Sequence, residues 1–475
     1  MERVCVTAAG IRPGMDHRAT DDTAMPRPTT VSFVSLGCAK NLVDSEKMLG
    51  QLAEAGCVLT SDESSADVVV INTCGFLQAS RTEALTEIRA AVAAKKAGGP
   101  RRVVVAGCLV QRDKNDLLQQ APGIDALVGV NNRDDIVRAV TGHHGGRSQP
   151  DVYLADYHPF TQIDTARLRI TPAHFAYLRI SEGCNQKCTF CTIPSIRGPM
   201  HSKPAELIVR EARELVSDGA VEISLIGQDT TSYGDDLSGS VNLAGLLRQL
   251  DAIDGLAWVR LMYAYPSVLT DDILDAIDEC QSVCRYIDIP LQHINSRILK
   301  AMYRRINRAE TEDLLGRIRD RIPGVTIRTT LIAGFPGETD EEFTELLDFV
   351  RQFQFDALGV FPYSLEPETP AGRMKGQIPE IIKQERVSAL MTAQQQVAFE
   401  LAERRIGRRF HVLVDEVRPD GTAVARHEGQ APSVDSNTLI RGADAEVGTF
   451  LEVRCTGRQD YDLIAQPISV PLPVV

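Results

Sequence analysis

Nowhere in this 475-residue chain do about 18 apolar residues run together, so no segment is long enough to form a membrane-spanning helix. The first 30 residues lack the basic start and apolar stretch of a secretory signal. An excess of positive charge is missing as well. Proteins that embrace nucleic acid usually carry a basic surface, whereas the net charge here is −13, which points to a protein or small-molecule substrate. The cysteines do not add up to a disulfide framework either. Eleven is an odd number, and without an export signal they argue for metal binding in a reducing cytoplasm. What remains is ordinary for a globular protein, 43% hydrophobic and 24% charged, long enough for about three domains.

Residues 1–29 are polar and aperiodic and read as a disordered leader. Beyond them, short β-branched runs alternate with amphipathic stretches. VSFVSLGC ends at Cys38, VVVINTC at Cys74 and VVVAGC at Cys108, with helix patterns over 42–56, 77–97 and 110–120. Such alternation predicts a parallel α/β domain over 30–142, followed by a linker over 143–170. The alternation resumes over 171–405, with strands expected at 176–184, 222–228, 258–264, 286–291, 326–335 and 357–364. Six strands predict a partial (β/α)6 barrel, with functional residues at the C-terminal strand ends. A long helix pattern covers 380–405, and residues 406–475 turn short-periodic and β-rich, as in a small all-β barrel.

Another lack gives the cysteines their meaning. The run GCNQKCTFC holds Cys184, Cys188 and Cys191 just after the first barrel strand, with no fourth cysteine nearby. Ferredoxin-type cubes take four cysteines. Three thiolates on a [4Fe–4S] cube leave one iron open, and an open position separates catalytic metal sites from structural ones. The rival readings are a zinc knuckle or three unrelated thiols, but zinc sites usually pair Cys-x2-Cys with a second pair or with histidines. Cys38, Cys74 and Cys108 lie 36 and 34 residues apart, each at a strand end. Ligands of parallel sheets gather beyond the carboxyl ends of the strands, so these three should converge. The favoured reading is a second three-cysteine [4Fe–4S] cluster, and chance coincidence of buried thiols is the alternative. Asn41, Asp44 and Ser45 read equally as caps of the following helix or as contacts of that site.

The Cys-x3-Cys-x2-Cys run resembles the signature of the radical S-adenosylmethionine (SAM) enzymes. Together with SLGCAKNLVDSE at the first domain, ISEGCNQKCTFCTIPSIRGP at the second and the terminal β domain, the chain resembles the methylthiotransferases over about residues 31–475. Ser35-Leu36-Gly37, Lys40-Asn41-Leu42-Val43-Asp44 and RLMYAYP at 260–266 favour the branch acting on ribosomal protein uS12 over the tRNA-modifying branch. Ala39, where proline is common, and APSVDS at 431–436 depart from that pattern. The resemblance implies SAM and two [4Fe–4S] clusters as cofactors, a TRAM-like terminal barrel, and methylthio transfer to an aspartate β-carbon of uS12. A reductant protein such as flavodoxin or ferredoxin is implied as a partner.

The resemblance also suggests SAM contacts at Gly334, Pro336 and Gly337 in GFPGET; Phe190 is a candidate to stack near the SAM adenine, and Gln228 and Asp229, at the end of a barrel strand, are pocket candidates. The bland readings are a tight turn, a packed ring and, for Gln228 with Asp229, a helix cap. Cys280 and Cys284 read as plain thiols four apart on a helix, Cys57 and Cys455 as core residues, Cys5 as disordered, and His293 as a structural histidine. Two rivals stand beside the favoured function. A tRNA methylthiotransferase should have a more basic terminal module than eight Lys/Arg against ten Asp/Glu over 405–475. A non-enzymatic iron–sulfur carrier would protect its irons with a fourth ligand.

Overall fold

The structure, a computed structural model, describes residues 27–142, 149–157, 163–238, 241–442 and 444–468, with the backbone of Val4–Cys5. It comprises two units: Met1–Ile170 with Thr192–Gly198, and Thr171–Cys191 with Pro199–Val475.

β-branched runs make the first unit. Its elements are β1 (Val4–Cys5), β2 (Thr30–Ser35), α1 (Ala39–Glu54), β3 (Val58–Thr60), β4 (Val68–Thr73), α2 (Gln78–Lys96), β5 (Arg102–Gly107), α3 (Cys108–Asp113), α4 (Asp116–Gln120), β6 (Ala126–Val128), α5 (Ile136–Thr141) and β7 (Asp151–Tyr153). Every residue of β4 and β5 is buried, which is why these strands read as unbroken apolar runs rather than alternating ones. Val69, Ile71, Val103 and Val105 face Ala84 and Ile88 of α2. Val68, Val70 and Val104 face Met48, Leu49 and Leu52 of α1. The strand order is β1-β2-β4-β5-β6-β7, with β3 also on β2.

Two expectations change here. The expected linker contributes β7, which extends the sheet in parallel beside β6. Its later part packs on the same unit, with Leu168 and Ile170 against the α1 core and Ile170 N–H donating to Glu46 Oε1 at 3.1 Å. Residues 143–148 and 158–162 of it lie outside the described residues. Val4–Cys5, expected to be disordered, pairs antiparallel with β2, and the leader residues 1–3 and 6–26 lie outside the described ones.

The second unit opens with β8 (Phe175–Arg179) and β9 (Ser181–Glu182), while α6 (Ile193–Arg197) belongs to the first. Then come β10 (His201–Ser202), α7 (Ala205–Ser217), β11 (Glu222–Ile226), α8 (Leu243–Asp251), β12 (Trp258–Leu261), α9 (Asp271–Glu279), β13 (Val283–Asp288), α10 (Ser296–Ala301), α11 (Arg308–Arg321), β14 (Thr326–Ala333), α12 (Asp340–Phe353), β15 (Ala357–Pro362) and α13 (Glu380–Glu403). Six parallel strands in the order β8-β11-β12-β13-β14-β15 form an open sheet, the partial barrel that the spacing predicts. Cys280 and Cys284 are not on one helix: α9 ends at Glu279, Cys280 caps it with extended backbone, and Cys284 lies in β13.

β16 (Arg409–Val417), β17 (Ala423–His427), β18 (Thr438–Ile440), β19 (Phe450–Gln459) and β20 (Asp462–Pro467) close into a barrel. It docks at the N-terminal ends of the six-stranded sheet through buried charges. Glu222, the first residue of β11, pairs with Arg260 at 2.9 Å and with Arg426 of β17 at 2.7 Å. Asp415 of β16 takes Arg426 at 2.6 Å and His174 at 2.8 Å. A cavity of about 300 Å³ near this junction is lined by Thr326, Arg328, Asp356, His427 and Gln430. Its lining comes from the N-terminal starts of β14 and β15, from α13 and from the terminal barrel, and includes none of the six cluster cysteines, so it is not the cluster site.

Candidate functional site

Parallel register delivers the first triplet. Ser35 pairs with Asn72, and Thr73 with Gly107, so β2, β4 and β5 end side by side. Cys38, Cys74 and Cys108 follow those ends, and each has a glycine beside it: Gly37, Gly75 and Gly107. A Cβ on Gly37 would lie 2.8 Å from Cys74 Cβ, and one on Gly75 would lie 2.8 Å from Leu109 Cα. At Gly107, with φ +97°, it would lie 2.3 Å from Asn72 Oδ1. Bare backbone lets the three loops approach.

The three thiols feel one another. Burial pushes Cys108 up to about 12, and Cys74 and Cys38 add to that rise while the nearby Arg197 opposes it. Burial also raises Cys74, with Cys38 contributing. None of them is in a disulfide. Among the described residues no three Cys, His, Asp or Glu side chains converge on a single ion, whereas a cube asks each thiolate to reach its own iron. Neighbouring thiols on three loops, none of them in a disulfide, fit that wider demand.

Asn41, Asp44 and Ser45 do not cap α1. Cys38 is its N-cap, and no side chain caps it. Asn41 Nδ2 donates to Leu36 O at 3.1 Å and Thr73 O at 2.8 Å, tying the Cys38 and Cys74 loops together. Its Oδ1 accepts from Arg197 Nη2 at 2.7 Å and from Cys108 Sγ at 3.3 Å. Asp44 pairs with Arg133 at 3.2 Å and Arg197 at 3.0 Å. Ser45 shares a 2.7 Å hydrogen bond with Ser35 and accepts from Asn72 at 2.8 Å. Arg197 is the residue that sequence reasoning misses. It is the sole charge in TIPSIRGP, and a lone charge in an otherwise uncharged run is the signal that could have marked it.

The second triplet lies on the loop after β8 and β9 at the C-terminal ends of the six-stranded sheet, where barrel chemistry gathers. Burial pushes Cys184 up to about 11, with Asp229 and Cys188 also raising it. Arg304 Nη1 reaches Cys188 Sγ at 3.7 Å while its guanidinium stacks over the Tyr265 ring at 4.1 Å. Arg304 does not stand out in the sequence, and Tyr265 does so only as part of RLMYAYP, with no sign of this contact. Asp229 is not a helix cap: it accepts from Gln186 Nε2 at 2.8 Å and from Ser232 Oγ at 2.8 Å, anchoring the cysteine loop.

Of the expected SAM contacts, Gln228 donates to Glu182 Oε1 at 2.7 Å, while its own Oε1 is buried without a partner. Ser181 Oγ is buried in the same condition, 2.6 Å from where a Cβ on Gly227 would sit. Phe190 packs against the Ile298, Met302, Phe335 and Tyr363 cluster. Gly334 N–H and Phe335 N–H both donate to Glu338 Oε2, at 2.9 and 3.1 Å, closing the turn that carries Pro336. Gly337, at φ +77°, has nothing within 4 Å of its absent Cβ. His293 is deeply buried, its pKa lowered to about 3 by that burial, and its Nδ1 accepts from Asn295 N–H at 3.0 Å.

An open six-stranded β/α sheet with a three-cysteine loop after its first strand defines a radical SAM enzyme. The Radical SAM superfamily pattern matches residues 178–350, the TRAM domain 406–468, and a family described as uncharacterised, UPF0004, 30–129. In the solved structure of the radical SAM methyltransferase TsrM from Kitasatospora setae the fold recurs, with TM-score 0.51 and 16% identity over 73% of this chain and 75% of that one. Two relatives named ribosomal protein uS12 methylthiotransferase RimO are far more similar. That of Trichlorobacter lovleyi is 42% identical and that of Geobacter sulfurreducens 43%, each over 92% of this chain and 98% of its own length. The chain belongs to the RimO family of radical SAM methylthiotransferases. Membership of the superfamily implies SAM and a [4Fe–4S] cluster. No described helix is long and apolar enough to cross a membrane.

Proposed function

We propose that the chain transfers a methylthio group to the β-carbon of an aspartate in ribosomal protein uS12, free or in the small subunit. It would use one [4Fe–4S] cluster on Cys184, Cys188 and Cys191 to bind SAM and a second on Cys38, Cys74 and Cys108. The observation that carries this reading is the 42–43% identity to uS12 methylthiotransferases across 92% of the chain. When bound, the clusters and SAM would supply the radical that removes hydrogen from an unactivated carbon and the methylthio sulfur that replaces it. The chain's own part is to hold and to position. Each triplet leaves a cube one open coordination site. Gln228 Oε1 and Ser181 Oγ are orphan buried acceptors suited to the N–H groups of the SAM amine, and a buried acceptor left unpaired is costly. Phe190 would wall the pocket. In GFPGET the N–H groups of Gly334 and Phe335 are spent on Glu338 and that of Gly337 on Gly376 O, so Pro336 and the turn would shape the site, with the open side of Gly337 at its absent Cβ allowing close approach.

A cytoplasmic location and a flavodoxin- or ferredoxin-like reductant go with this reading. tRNA as substrate is the second reading, disfavoured by the slightly acidic terminal barrel, eight Lys/Arg against ten Asp/Glu over 405–475. Mass spectrometry of uS12 and of tRNA nucleosides from cells lacking the chain separates the two. The expected result is uS12 lighter by about 46 Da, one SCH2 unit carried by cofactor chemistry, with nucleosides unchanged. Unaltered uS12 with a methylthio-adenosine missing from tRNA refutes the proposal.

A further inference from the structure

Arg197 lies six residues beyond Cys191 in sequence, yet it belongs to the unit of the other triplet. It is buried, and Ile196 beside it packs on Cys108 and Val130. Its Nη2 lies 3.2 Å from Cys108 Sγ, 2.7 Å from Asn41 Oδ1 and 3.0 Å from Asp44 Oδ2. Asn41 in turn donates to the backbone of the Cys38 and Cys74 loops. One guanidinium thus completes a polar frame that touches all three cysteine loops.

We infer that Arg197 is a positioning residue of the first triplet, holding Cys108 in its ligating pose by an N–H···S hydrogen bond and offsetting negative charge on the cluster bound there. The inference rests on the two-cluster reading above. As a thiol, Cys108 donates to Asn41 Oδ1. As a thiolate on iron it can only accept, so the bond from Arg197 becomes its natural partner and Asn41 keeps the guanidinium in place. Hydrogen bonds to cysteine sulfurs are among the factors that set cluster potentials, because they stabilise the more negative, reduced state. Arginine suits this task where lysine does not: its planar fork donates in several fixed directions, whereas an ammonium is a point charge on a flexible stem.

A structural role alone would have Arg197 pin the 192–198 segment through Asp44. The two roles part in a redox titration. Full-length chain carrying C184A, C188A and C191A, reconstituted anaerobically, should hold about four irons, one cube. A count near zero overturns the two-cluster reading and this inference with it. On that background R197M should lower the midpoint potential followed by electron paramagnetic resonance. The expected size is a tenfold lower reduced-to-oxidised ratio at fixed potential, about 59 mV for one electron. R197K keeps a cation opposite Asp44 but not the fork, and should fall between R197M and the parent. If R197M fails to fold, R197K still has to titrate below the parent. Four irons with a parental potential in both variants, or lower melting temperatures with unchanged potentials, refutes the inference alone.

Discussion

Replacing Gly107 with alanine should empty the first triplet while leaving the second intact. Gly107 has φ +97° and ψ −156°, a region that glycine alone visits freely, and placing a side-chain residue there costs about 1–3 kcal/mol. The new methyl would also lie 2.3 Å from Asn72 Oδ1, 2.6 Å from Thr73 O and 2.9 Å from Thr73 N. Two of those three atoms are backbone in a buried strand and cannot swing aside, so crowding adds about 1–3 kcal/mol. The total is about 2–6 kcal/mol, against a whole-protein stability of about 5–15. For a unit of this size each kcal/mol shifts melting by roughly 2–4 °C, so a fall of more than about 4 °C is expected. Gly56 is the control: it too has positive φ, at +80°, but nothing lies within 4 Å of its absent Cβ, so G56A carries strain without crowding. The assay is differential scanning fluorimetry of both variants beside iron and labile sulfide counts after anaerobic reconstitution. G107A melting no lower than G56A, with its full iron complement, would refute the idea that bare backbone at Gly107 is what allows the Cys74 and Cys108 loops to meet.

Three further outcomes follow from the same geometry. Wild-type chain should reconstitute with roughly eight irons and the C184A/C188A/C191A variant with about half, as three-cysteine ligation of each cube requires; zinc instead of iron, or undiminished iron in the variant, sinks the assignment. The C38A/C74A/C108A variant should still cleave SAM reductively to 5′-deoxyadenosine yet form no methylthio product, read by liquid chromatography and mass spectrometry; loss of cleavage in a variant that keeps its other cube refutes the division of labour. Glu222→Gln should destabilise the second unit by about 3–5 kcal/mol, because it removes the carboxylate shared by the buried Arg260 and Arg426; with R426M added, the loss should fall short of the sum of the single losses, and strict additivity in denaturant melts would show that the charges do not act as one network.

The cysteine positions were legible because a parallel sheet converts sequence spacing into space. β2, β4 and β5 are neighbours in register, so three cysteines about one strand–helix unit apart had to meet at one edge. The linker strand was not legible: Asp151–Tyr153 has three residues, too few for periodicity to register, and it forms because β6 offers an edge. Cys280 and Cys284 have helical spacing, but α9 stops at Glu279, just before them, and the β-strand that follows is set by pairing with β12 and β14. The reading of Asn41, Asp44 and Ser45 as caps failed for a more instructive reason. They share the face of α1 that buries Met48, Leu49 and Leu52, three or four residues apart in turn. A polar residue on a core stripe must find partners inside, and these found Arg197, Arg133, Ser35 and Asn72. The stripe is visible in the sequence, but its partners are not, because Arg197 arrives from more than 150 residues away. Local pattern therefore located the metal-ligand candidates, while the polar frame around them was set by tertiary contacts that no local pattern encodes.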